Sequence, residues 1–182
     1  PGHPEATLEK HIRLLHSNLN FVLDKLSRGY KGFSLSPEQI LKVKILIDAH
    51  DTMKPQAKTG VPIGHNKSHA SLAARWLKSL EAPNELIHMV QLHDENHALY
   101  RMSQRGTVDQ KRLESLLYSI NDWDTFLAFQ ICDKVVPGRD IESIYFLLDQ
   151  LDKANGVQYS LPARELITEV CRQHKLENPR MD

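Results

Sequence analysis

A histidine followed at once by an aspartate, His50-Asp51, is the pair in this 182-residue chain best placed to do chemistry. His50 lies one helical turn past Ile47 and two past Val43, so it continues an apolar stripe at the end of a helix. A histidine there is desolvated and needs a partner. Asp51 puts a carboxylate where the negative end of the helix dipole opposes it. A bound cation would compensate both placements. A hydrogen-bonded histidine beside a turn-forming aspartate would also account for them. Asp133 follows Phe126, Phe129 and Gln130 on a mostly apolar face. Charge on such a face calls for a partner or a metal, and Lys134 or Arg139 could be that partner. His11 shares a face with Leu8, Leu15 and Val22, the pattern of a buried, hydrogen-bonded histidine.

Histidine is the commonest metal ligand and the usual proton carrier near neutrality. Of ten histidines, His50, His65, His69, His88, His93 and His97 fall within one stretch. His65 with His69, and His93 with His97, are spaced four apart, which on a helix points both rings the same way. The run from His93 to His97 differs from the HExxH of zinc proteases, because Glu95 is displaced by one position. His88 and His97 fit an exposed helix face. Asp122 and Asp124 flank Trp123 at a helix start, where acids act as caps.

Helices must position these residues. Leu8, Ile12, Leu15, Leu19, Val22 and Leu26 recur at helical spacing up to Gly29 and Gly32. Ser36-Pro37 opens a second helix that ends at His50. A loop over 52–65 follows, then helices from 66 or 68 to 79, 83–101, 108–119, 122–136, 140–153 and 162–176. Pro137-Gly138, Asn155-Gly156 and Pro162 separate the last of them. Only 156–160 could be a short extended piece. The expectation is one all-α domain of seven or eight helices spanning 1–182.

Composition narrows the function. Hydrophobic residues make up 41% and charged residues 25%, and Lys plus Arg and Asp plus Glu both number 23. This balance provides no field for a large nucleic-acid footprint or an anionic membrane. Two cysteines without a CxxC spacing predict a reducing, cytoplasmic setting. No apolar run is long enough to span a membrane. Pro1 in place of an initiator Met leaves room for a further domain outside the sequence.

The order of these residues resembles the HD superfamily of metal-dependent phosphohydrolases, whose signature reads here His11, His50-Asp51, Asp133. His3-Pro4-Glu5 through His11 is similar to the opening of the HD domain in bacterial tRNA CCA-adding enzymes. His50-Asp51-Thr52-Met53-Lys54-Pro55 resembles the family's HDxGKP run, with Met53 in place of glycine. Gly64-His65 through Ala73 resembles a following helix start, with His69 where a small residue is common. Pro83 to Ile87 with His93, and Cys132-Asp133-Lys134 with Gly138-Arg139, resemble the later segments. The resemblance covers about 3–139, and helices over 140–176 would complete the domain. Tyr145, Phe146, Leu147, Leu148 and Leu151 there fit a pocket wall or a homo-oligomer surface.

The resemblance implies a divalent metal (Mn, Fe, Co, Ni, Mg or Zn) held by His11, His50, Asp51 and Asp133. Nitrogen and oxygen donors do not choose among these ions. Asp51 would help position a metal-bound water. Lys54 would hold a substrate phosphate oxygen, with Arg139 and Lys134 behind it. His65, His69 and His93 would hold a second metal, bind phosphate or protonate the leaving group. The implied substrate is a small nucleotide-like phosphate ester. Two alternatives are a non-catalytic nucleotide-sensing or interaction module and an RNA-end phosphatase domain of a larger protein.

Overall fold

The computed structural model of the chain describes residues 7–30 and 32–180. Among them are nine α-helices, one 3-10 turn and no strand. Helix α1 spans Leu8–Gly29, with the Thr7 hydroxyl accepting from the Lys10 amide. Its buried stripe of His11, Leu15, Leu19, Val22 and Leu26 follows the helical period. Helix α2 spans Pro37–Ala49. Ser36 and Gln39 form a reciprocal capping box at its start, and Pro37 stands where no intrahelical amide is needed. A 3-10 turn over Lys54–Gln56 follows inside the expected loop.

Helix α3 spans His69–Ser79 and is capped by Ser68. The helix expected over 83–101 is two helices, α4 over Asn84–Leu92 and α5 over Glu95–Ser103. The chain leaves helical geometry at Asp94, with φ −105° and ψ 1°. Apolar spacing continues through the break, so periodicity conceals it. Helices α6 (Gln110–Ser119), α7 (Trp123–Lys134), α8 (Glu142–Lys153) and α9 (Ala163–His174) complete the order. Asp122 caps α7 as expected, but Asp124 instead accepts the Ser160 and Leu161 amides and ties down the segment before α9.

All of α7 except Asp124 is buried, and a helix buried on every side belongs at the centre. It packs against α1, α2, α8 and α9. Phe126 and Phe129 on α7 meet Leu15, Leu19, Leu46 and Ile47 in one continuous core. Tyr145, Leu147, Leu148 and Leu151 are buried in this core, and Phe146 packs against it. No helix among the described residues is long and apolar enough to cross a membrane.

Candidate metal centre

The packing brings one end of five helices together. Helices α2, α4 and α7 finish at the centre, carrying His50, His93 and Asp133, while α1 and α3 begin there with His11 and His69. His50 and His93 hold equivalent places, each capping its helix in αR geometry. The ring Nδ1 of His50 donates to the Ile47 carbonyl at 2.9 Å, and that of His93 to the Val90 carbonyl at 2.7 Å. Each bond directs Nε2 inward as the atom that meets a proton or a metal.

His11 Nε2 lies 3.4 Å from His50 Nε2, and Asp133 Oδ1 lies 3.3 Å and 3.6 Å from these two nitrogens. Asp51 Oδ2 lies 3.7 Å from His11 and 3.2 Å from His50. On the other side, His69 Nε2 and His93 Nε2 are 3.1 Å apart. Asp51 Oδ1 lies 3.6 Å and 3.8 Å from them. His11, His50, Asp51, His93 and Asp133 are all at most 2% exposed. The described residues thus contain two donor groups sharing Asp51, one buried and one with a half-buried His69, each with three donor atoms close enough to hold one ion.

The charges of the centre favour a cation. Lys134 Nζ lies 2.7 Å from Asp133 Oδ2, but among the described residues no donor makes an aligned hydrogen bond to either buried oxygen of Asp133. A cation would satisfy both oxygens. Burial opposes charge on His50, but Asp51 and Asp133 outweigh it and raise its pKa to about 10. A proton there supplies the positive charge that a metal ion would also supply. Burial lowers His93 to about 4 against the pull of Asp94, leaving a neutral imidazole suited to ligation. Burial would raise Asp133, but Lys134, His11 and His50 hold it well below the usual carboxylate range.

Three cations border the donors. Lys54 Nζ lies 2.7 Å from Asp51 Oδ2 and its side chain is 35% exposed. An Arg139 guanidinium nitrogen lies 3.7 Å from Asp133 Oδ1. Gly138, at φ 78°, provides the left-handed turn after α7 that returns Arg139 toward that helix end. Lys134 bridges Asp133 and Asp94.

Some expected positions differ. His65 joins neither donor group: it lies before the Ser68 cap, where its Nδ1 accepts the Lys67 amide at 3.0 Å. A spacing of four therefore does not place it beside His69. The break after His93 likewise separates it from His97, which is exposed on α5, and His88 is exposed too. His3, Pro4, Glu5 and Ala6 of the N-terminal motif lie outside the described residues.

Two contributors went unread in the sequence. Asp94 Oδ2 lies 3.3 Å from His69 Nε2 and 3.4 Å from His93 Nε2. Its signal was there, since His93-Asp94 is a second His-Asp pair at a second helix end. Gln130, wholly buried on α7, donates to the His93 carbonyl at 2.8 Å and fixes the turn that aims Asp94. Comparison with protein-family models, curated proteins and solved structures found no match.

Proposed function

We propose that this chain is a metal-dependent phosphohydrolase of the HD type, acting on a small nucleotide-like phosphate ester, in which two donor groups that share Asp51 would each hold an ion. One observation carries the reading: Asp51 presents Oδ2 to His11 and His50, and Oδ1 to His69 and His93. A carboxylate with one oxygen on each of two histidine sets would serve as a ligand in both, and paired-ion centres serve phosphate-ester chemistry. His11, His50, Asp51 and Asp133 would hold one ion. Asp51, His69 and His93, with Asp94 alongside, would hold the other. The donors are nitrogen and oxygen without thiolate, which suits Mn, Fe, Co, Ni, Mg or Zn. Metal bound there would polarise a phosphoryl oxygen and lower the pKa of a coordinated water.

The chain's own residues supply the remaining roles. Lys54 and Arg139 retain solvent access, at 35% and 23%, and can turn from carboxylate to a phosphate oxygen. Lys134 is 3% exposed, so its role is to hold Asp133 and Asp94 in place. Asp51, as a ligand in both groups, would help position a metal-bound water.

Phosphate release from a panel of nucleoside monophosphates, and ring opening of cyclic nucleotides to monophosphates, with added Mn, Co, Ni or Mg, tests this function. Wild-type protein is expected to release phosphate, and Asp51→Ala to lose turnover and metal together. Protein that carries metal but is inactive across the panel overturns the reaction and favours a non-catalytic sensing module.

A further inference from the structure

We infer that the substrate carries a second anionic group, set apart from the scissile phosphate and held by Arg101 and Arg105. This inference rests on reading the centre as a phosphate-ester site. An open cleft of about 710 Å³ contains His69 and Asp94 of the centre and also these two arginines. That volume lies within the range of small-molecule sites and greatly exceeds what one phosphate needs. Val61, Ile63, Ala98 and Met102 line the same cleft and suit the flat, apolar body of a ligand.

The arginines of the cleft differ in their partners. Arg112 is closed by two bonds to Glu95, at 2.6 Å and 2.8 Å, and is structural. Arg101 and Arg105 are exposed and have no carboxylate within ion-pair distance among the described residues. Both line the one cleft, and guanidinium groups suit a phosphate, which they can grip through several donors. Arg101 stands seven residues beyond Asp94, or about 10 Å along a helix. That is far enough to separate a second anion from the centre. His97 lies between them in sequence and faces the same cleft.

Calorimetric binding of adenosine 3′,5′-bisphosphate and adenosine 5′-monophosphate to the Mn-supplemented chain tests the inference. Wild type is expected to bind the bisphosphate about tenfold more tightly, the scale of one added charge-assisted contact. The double variant Arg101→Gln, Arg105→Gln is expected to bind both alike, with metal content unchanged as the check on folding. Equal affinities in wild type, or a preference that survives in the double variant, overturn the subsite. Phosphate release from the same nucleotides is read separately. Discrimination without release retains the subsite and overturns the reaction. Release without discrimination retains the reaction and overturns the subsite.

Discussion

Lys134 is 3% exposed, with its ammonium 2.7 Å from Asp133 and 2.6 Å from Asp94. Burial opposes its charge, but the two carboxylates outweigh burial and raise its pKa. Removing one member of a buried ion pair leaves the other uncompensated. Lys134→Met is therefore expected to cost about 3 kcal/mol in the metal-free protein, read by urea denaturation. Excess Mn should restore part of that loss, because a cation would then face Asp133. An equal loss with and without Mn would mean that Asp133 faces no ion. The side chains of the centre were unevenly legible. His11, His50 and Asp133 stand on apolar stripes, so their burial can be read from spacing. Asp94 cannot be read that way, since in an unbroken helix it would follow His93 round to another face. His65 and His69 are one helical turn apart in number, but Ser68 starts the helix between them.

At the level of elements, α2 is defined at both ends by residues recognisable in the sequence. Ser36 caps its start, and His50 stands where it finishes, about 20 Å away. Ser36→Ala is expected to cost about 1 kcal/mol in thermal or chemical unfolding and to leave metal content unchanged. A loss of metal in that variant would mean that the far end of α2 moves with its cap. The other boundaries follow from local punctuation as well, with Pro162 before α9 and Asp122 before α7. The break between α4 and α5 has no glycine or proline to announce it. Tertiary contact holds it, through the Gln130 bond to the His93 carbonyl and the Lys134 pair with Asp94. The residues that make the turn lie about forty positions away, so no local window contains the cause.

At the scale of the molecule, the C-terminal segment is tied to α8 by surface ion pairs. Asp149 accepts from Arg164 at 3.1 Å and from Arg180 at 2.8 Å. Burial would raise the Asp149 pKa, but the bonds from Arg180 and Arg164 outweigh it and lower it from 3.8. A lowered carboxylate stabilises the fold above its unfolded value, and that contribution is lost as pH falls through the folded value. Asp149→Asn should therefore lower Tm by about 1–3 °C at pH 7, with the gap to wild type closing below pH 3.8. A gap that persists in acid would assign the effect to packing instead. The all-helical class was legible because periodicity and caps are local, whereas the meeting of five helix ends depends on how α7 is buried. The claim that joins these scales is that the meeting point holds metal. Elemental analysis of the purified chain, after loading with Mn and removal of free ion, tests it most directly. The expected content is about two ions per chain in wild type, about one in His93→Ala and none in Asp51→Ala. A wild-type protein without metal, or a content that Asp51→Ala leaves unchanged, would contradict it.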